Sequence, residues 1–381
     1  MTHTPSTAAI PQPSNASDVP DNRYGLIIAG GNGERFWPQS RIDCPKYLLP
    51  IVGSRPMLTQ TLERLRALLP VERIFIITSQ RHASKIKALC PEVPEAQIIA
   101  EPYLKDTATA IGVGMTVIQQ QFPEAVCAVL PADHVIHDTE AYEALLKTAW
   151  SAAAIEGVLL TIGIKPTYPA TGYGYMCKSF LLKKVEQKPL FQVSQFTEKP
   201  DLETARTYIE SGNYYWNSGI FVWSVGILLK ALEIHTPILH QELLKIRLGL
   251  EQGDALSDLL EMAYSNLEAK SIDYAVLEKA SNVVMLEATF DWDDVGEWQS
   301  ICRHSILDES GNYVTGKALI EQSINNIIVS SPNHLTVLFG INDLIVVTTA
   351  DATLVCPRSF SQDIKKIINQ LKCNPEYARY L

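Results

Sequence analysis

The sequence predicts an α/β protein: a mostly parallel sheet with helices on both faces, followed by a small β-rich second domain. Three observations predict it. Short apolar runs of strand length alternate with stretches of helical spacing from residue 24 to about residue 164. The first of those runs empties into a glycine-rich loop, at the strand end where sheets of this class bind ligands. From about residue 312 the helices give way to closely spaced β-rich pieces.

In order along the chain, residues 24–29 (YGLIIA) have the length and composition of a buried strand. Met57, Leu58, Thr61, Leu62, Leu65 and Leu68 then recur at helical spacing before Pro70 stops them. Residues 73–78 read as a strand, 84–89 as a short helical piece and 96–100 as a strand. Residues 107–122 form a helix closed by Pro123. A strand over 126–130, a helix over 142–155 and a strand over 158–164 complete a β-α-β alternation, which implies parallel strands joined by crossover helices. Past residue 312 the runs NIIVS, LTVLFG, LIVVTT and ATLVC are separated by Gly, Asn and Asp, and one helix-like tail begins near Ser361. Residues 1–22, rich in Pro, Ser, Thr, Ala and Asn, read as a disordered leader, since they carry neither the basic start nor the apolar core of a signal peptide. The expected division is this leader, a large domain over 23–304 and the second domain over 305–381.

Composition narrows the function. A formal net charge of −10 over 381 residues argues against nonspecific nucleic-acid binding, so an anionic ligand needs a local basic pocket. No apolar run approaches a membrane span, and no membrane partner is expected. The seven cysteines are scattered and contain no C-x-x-C pair, which suits reduced thiols in a cytoplasmic protein better than a disulfide framework or a zinc site.

The loop Gly30-Gly31-Asn32-Gly33, with Arg35, Pro38, Pro45 and Lys46 after it, reads as a triphosphate cradle. Glycines let backbone N–H groups approach phosphate oxygens, while Arg and Lys supply a planar fork and a point charge. Nothing supplies the Lys-Ser or Lys-Thr of a Walker loop, and Phe36 stands where a dinucleotide fingerprint needs its third glycine. Asp133, two residues past a buried strand, can hold a divalent metal beside the phosphates, although a turn-capping aspartate is the commoner use of that position. A second acidic cluster, FDWDDVGEW, offers Asp291, Asp293 and Asp294, among which spacing does not choose. Magnesium takes one or two protein carboxylates, so Asp133 and one of these suffice. Between the clusters lie TGYGY (171–175), FTEKP (196–200) and YYWNSGIFVW (214–223). Glu198 suits sugar hydroxyls, Lys199 a phosphate and Asn217 a hydroxyl pair, with Gly172 and Gly174 allowing close backbone approach.

AGGNGERFWPQSR with its following PK, EPYLKDTATAI, PADHVI, FTEKP, WNSGIF, DWDDVGEW and NDLIVVTTADATLV stand in the order shown by the mannose-1-phosphate guanylyltransferases, which this chain resembles from about residue 24 onward. The resemblance implies a Rossmann-like catalytic domain of the nucleotidyltransferase fold and a short left-handed β-helix behind it. It implies that Gly30, Gly31, Gly33, Arg35 and Lys46 meet the phosphates of GTP, with Ala29, Asp106 and Thr107 also on the nucleotide side. By the same carry-over Asp133 and Asp294 hold Mg²⁺, Gly172, Glu198 and Asn217 meet the sugar, and Lys199 holds its phosphate. The reaction implied is in-line attack of mannose 1-phosphate on the α-phosphate of GTP, yielding GDP-mannose and pyrophosphate. Asp106 departs from the family, which usually carries Asn there and a Pro two residues after the Thr. Many bacterial relatives continue into a phosphomannose isomerase domain, for which this sequence leaves no room, so no isomerase activity is expected. The rivals are the same chemistry with UTP or dTTP and glucose 1-phosphate, and a silent nucleotide-sugar sensor that would not need the cations and carboxylates present here. A small β-rich domain exposes edges that a homodimer would cover.

Overall fold

The structure, a computed structural model, describes residues 22–31, 33–155 and 157–381. Of the leader read over residues 1–22, all but Asn22 lie outside the described residues, as does Asn32 of the glycine loop.

The large sheet is built from β1 (Arg23–Ala29), β2 (Ile74–Ser79), β3 (Ile98–Glu101), β4 (Val126–Pro131), β5 (Leu159–Ile164), β6 (Gly174–Val185), β7 (Lys188–Glu198), β8 (Tyr214–Ser224) and β9 (Val283–Glu287). Their spatial order is β3-β2-β1-β4-β8-β5-β9-β7-β6. The block β3-β2-β1-β4 is parallel throughout, and β5 and β9 are parallel to each other. β8 runs antiparallel between β4 and β5, and the long β6–β7 hairpin closes the far edge. Leu26 and Ile27, adjacent in β1, are both buried, one in each of the two apolar layers that sandwich the sheet. That is why the strand reads as a continuous apolar run and not as an alternation.

Helices α1 (Met57–Arg66), α2 (Gln80–Leu89), α3 (Asp106–Gln121), α4 (Thr139–Ala153), α5 (Leu202–Ser211), α6 (Val225–His235), α7 (Pro237–Gln252) and α8 (Leu256–Ser265) cover those faces. α3 is buried nearly all round, because α6 and α7 pack over the side that would otherwise face water. Gly112 and Gly114 make this possible: a Cβ on Gly112 would lie 2.8 Å from Leu243, and one on Gly114 2.5 Å from Leu26.

The second unit comprises β10 (Tyr313–Thr315), β11 (Lys317–Glu321), β12 (Ile327–Val329), β13 (Leu335–Phe339), β14 (Leu344–Thr348), β15 (Thr353–Pro357) and α9 (Ile364–Cys373). Parallel pairs β10–β12, β12–β14 and β11–β13 stack as the coils of a β-helix, which β15 ends by pairing antiparallel to β14. Its apolar interior is continuous with the large domain. Ile327, Val329, Ile345, Val347, Ile364 and Ile368 share one cluster with Phe36, Trp37, Val295 and Trp298. Among the described residues no helix is long and apolar enough to cross a membrane.

Candidate active site

β1 and β4 are adjacent and parallel, so the glycine loop after Ala29 and the turn holding Asp133 leave the sheet side by side. Gly31 has φ 84° and Gly33 φ 59°, a region that side chains resist. Gly33 is doubly constrained, since a Cβ there would collide with the Cβ of Lys46. A Cβ on Gly30 would meet nothing. An isolated antiparallel bridge, Val135 to Asp293, zips the PADHVI turn to the DWDDVG turn.

Lys46 sits under this junction, only 4% exposed. Its Nζ donates to Oδ2 of Asp133 at 2.9 Å, to the Asp133 carbonyl at 2.9 Å and to the Asp294 carbonyl. All three ammonium donors are therefore engaged, and the lysine ties both acidic turns to the loop. Arg35 donates from Nη1 to the Gly296 carbonyl at 3.4 Å, while its buried Nε has no partner among the described residues. Gly33, Arg35, Lys46, Asp133 and Asp294 together line a cavity of about 360 Å³, which Lys365 of α9 also reaches.

Tertiary partners separate the three aspartates. Asp291 caps the backbone N–H groups of His137 and Asp138 ahead of α4. Asp293 accepts from Arg303 Nε at 2.6 Å and Nη2 at 2.9 Å, lies 2.8 Å from His304 Nε2, and accepts from the Val295 N–H. Burial works against its ionisation, but His304 and Arg303 outweigh that and hold its carboxyl far below the usual range. Of these three, Asp294 alone lines the cavity. Burial pushes the Asp294 carboxyl up, against the pull of Lys46 and of Tyr173, whose hydroxyl donates to Oδ1 at 2.6 Å. Burial also raises Asp133, but there the Lys46 charge wins and the carboxyl is lowered. Two hard oxygen ligands on one cavity suit a magnesium ion, and Oδ2 of Asp294 has no protein donor among the described residues. No group of three or more His, Cys, Asp or Glu side chains among the described residues is arranged to hold a metal.

Glu198, Lys199 and Asn217 form a second group that does not line this cavity. Lys199 Nζ pairs with Glu198 Oε1 at 2.6 Å, and its backbone takes φ 48°. Asn217, on β8, accepts from Thr161 Oγ1 and donates through Nδ2 to Asp273 Oδ1, each at 2.9 Å. Asp273 is pushed up to about 7, chiefly by burial and next by the Glu198 charge, with Asp106 adding to it and Lys199 opposing. Asp106 (φ 65°) and Thr107 open α3, and Thr107 Oγ1 accepts from the Ile272 N–H at 2.9 Å. That stitch brings the 105–107 segment to the Asp273 side, and neither Asp106 nor Thr107 lines the cavity. A Cβ on Gly172 would meet nothing, whereas one on Gly174 would lie 2.5 Å from Oε2 of Glu198. The close approach read from TGYGY is therefore made at Gly174.

Sequence reasoning missed Tyr173, Asp273 and Lys365. Tyr173 sits inside TGYGY, a segment that carried a signal only through its glycines. Asp273 lies in SIDYAVLE and Lys365 in an amphipathic helix, patterns that look wholly structural.

Three non-glycine residues with positive φ (Asp106, Lys199 and Val295) fall within these two groups. Strained backbone of this kind gathers where a site is held in one geometry. A Gly-rich strand-to-turn cradle, two carboxylates on one cavity and a buried lysine beneath them, on an α/β sheet, are the features of a nucleotidyltransferase. Comparison with known proteins agrees. Residues 24–311 match the family model described as Nucleotidyl transferase, and residues 320–371 match the MannoseP isomerase/GMP-like beta-helix domain. A mannose-1-phosphate guanylyltransferase of Klebsiella pneumoniae is 34% identical over 93% of this chain and 75% of its own length. One from Salmonella montevideo is 36% identical over 91% of this chain and 73% of its own. A crystal structure of a mannose-1-phosphate geranyltransferase from Thermus thermophilus superposes with a TM-score of 0.80 at 32% identity, covering 92% of this chain and 99% of that one. The chain belongs to the mannose-1-phosphate guanylyltransferase family, with a nucleotidyl transferase domain followed by a β-helix domain.

Proposed function

We propose that the protein transfers GMP from GTP to mannose 1-phosphate, forming GDP-mannose and releasing pyrophosphate. The observation that carries this reading is the convergence of Asp133 and Asp294 on one cavity with Gly33, Arg35 and Lys46. The names of its relatives favour guanine and mannose over other base and sugar pairs.

An oxygen of the sugar phosphate attacks the α-phosphorus of GTP, the bond from that phosphorus to the bridging oxygen breaks, and pyrophosphate leaves with the electron pair. The attacking oxygen is already anionic, so no general base is needed. The protein's task is to hold two anions together and stabilise charge on the leaving group. Gly30, Gly31 and Gly33 admit the phosphates to backbone N–H groups, with Ala29 ending the strand that carries them. Arg35, which lines the cavity, offers its guanidinium to the leaving end. Lys46 fixes Asp133 and Asp294 in register, and its charge faces the same cavity. Asp133 and Asp294 would hold Mg²⁺, which supplies charge neutralisation at the phosphate oxygens when bound. Lys199 receives the incoming phosphate, while Glu198, Asn217 and Gly172 border the sugar. Asp106 and Thr107, held by the Ile272 stitch, border the nucleotide at its nucleoside end.

The seven cysteines are free thiols, consistent with work in the reducing cytoplasm. Leu319, Leu335, Val337 and Phe339 stand exposed on one face of the β11–β13 pair, a strip that a homodimer would cover.

The experiment is pyrophosphate release with Mg²⁺ across GTP, UTP, dTTP, ATP and CTP, each with several sugar 1-phosphates. Release confined to GTP with mannose 1-phosphate is expected. Release with another pair would overturn the substrates but keep the chemistry, and silence in every well with GDP-mannose still bound would make the protein a sensor.

A further inference from the structure

One wall of the phosphate cavity comes from the far end of the chain. Lys365, in the first turn of α9, faces the cavity opposite Gly33 and Arg35, and it has no hydrogen-bond or ion-pair partner among the described residues. Ile364 and Ile368 are buried in the cluster that holds Phe36 and Trp298, so the helix is fixed against the turn that follows the glycine loop. Two helical turns further on, roughly 10 Å along the same face, Lys372 Nζ pairs with Oε1 of Glu34 at 2.6 Å. Glu34 borders the cavity, and its charge would repel a polyphosphate; Lys372 offsets it. The first turn of α9 contains Lys365 and Lys366 and no acidic residue, against the preference of a helix start for negative charge. Lys366 is answered by Asp363 at 2.7 Å. Lys365 is answered by nothing among the described residues, and a local rule broken without internal compensation points to a ligand.

We propose that Lys365 binds the terminal phosphate of the nucleoside triphosphate, so that the β-helix domain supplies a cation to the leaving pyrophosphate. This rests on the nucleotidyl-transfer reading above. Lys199, Glu198 and Asn217 line no part of this cavity, which places Lys365 at the end of the nucleotide away from the sugar. A flexible ammonium on an exposed stem suits a group that must be gripped and then released with product.

The test is equilibrium binding by calorimetry on the full chain, with Mg²⁺, of GTP and separately of GDP-mannose. Lys365→Ala should weaken GTP about tenfold, the scale of one lost charge-assisted contact, and leave GDP-mannose within about twofold. Lys365→Arg should restore most of the loss. In the reverse reaction the KM for pyrophosphate should rise in parallel while that for GDP-mannose stays put. Lys365 is exposed, so an unchanged melting temperature is expected for both variants. GTP binding by Lys365→Ala equal to wild type, or an equal loss for GTP and GDP-mannose, would overturn the proposal alone. A wild-type protein that binds no nucleoside triphosphate would overturn the underlying function as well.

Discussion

The hydroxyl of Tyr173 donates to Oδ1 of Asp294 at 2.6 Å, and the carbonyl of the same tyrosine accepts the backbone N–H of Lys199 at 3.2 Å. One residue thus joins the Asp294 carboxylate of the cavity to the Lys199 backbone of the second group. Its ring is wedged among Tyr168, Trp216 and Trp292, each in edge or tilted contact, so it cannot swing without repacking all three.

Tyr173→Phe keeps that packing and removes only the hydroxyl. Partners that orient a metal-binding carboxylate are typically worth about 10- to 100-fold in metal affinity or activity. The variant should fold normally, turn over about tenfold more slowly and need several times more Mg²⁺ for half-maximal rate. An unchanged Mg²⁺ titration would show that Asp294 holds its aim unaided.

The neighbouring aspartates should part company. Asp294→Asn should lose activity by about three orders of magnitude with little change in melting temperature, as expected for a group acting in the transition state. Asp291→Ala should do the reverse, leaving turnover within about threefold while costing about 1–2 kcal/mol, because two N–H groups ahead of α4 lose their acceptor. Parallel urea melts and initial rates on the two variants check this.

Gly33→Ala meets two obstacles at once, a φ of 59° and a collision with Lys46 Cβ. The expected strain is about 1–3 kcal/mol, and the displaced Lys46 should release both acidic turns. Turnover should fall at least about 100-fold, whereas Gly30→Ala, where a Cβ meets nothing, should be far milder. Comparing the KM for GTP in the two variants separates loop geometry from general instability.

Glu101 gives a pH signature away from the reaction. It is 3% exposed, and burial raises its carboxyl to about 7 despite the Tyr264 hydroxyl at 2.8 Å. A raised carboxyl binds more protons folded than unfolded, so its penalty is absent below the unfolded value of 4.5, grows as pH climbs, and is complete above about 7. Glu101→Gln should match wild type in stability near pH 4.5 and exceed it at about pH 8, by up to about 3 kcal/mol. Denaturant midpoints of both proteins across that range measure the divergence, and a constant offset would refute the assignment.

Local chemistry made much of the molecule readable from sequence. Residues 24–29 are apolar on both sides because β1 is covered on both sides, and the loop after them carries Gly31 and Gly33 where positive φ, and at Gly33 close packing on Lys46, require them. The long β6–β7 hairpin was not legible: Phe180, Leu181 and Leu182 are exposed in a strand that follows no alternation. β10 and β12 are three residues each, too short for a period to register, although the apolar run around β12 was visible. The choice among Asp291, Asp293 and Asp294 was closed to spacing, because Arg303, His304 and the N–H groups of 137 and 138 decide it, and they become neighbours only on folding. Asp273 escaped for the same reason, since its partner Asn217 is 56 residues away.

The cluster that runs from Phe36 through Trp298 to Ile368 has a consequence for how this chain comes apart. Trp37 donates its indole N–H to the Tyr380 carbonyl at 2.7 Å, so a residue just beyond the glycine loop is moored to one near the other terminus. The β-helix is therefore expected to melt together with the glycine loop, in a single cooperative step. A protease nick between the two units is therefore expected to leave each half with the apolar surface that the other now covers.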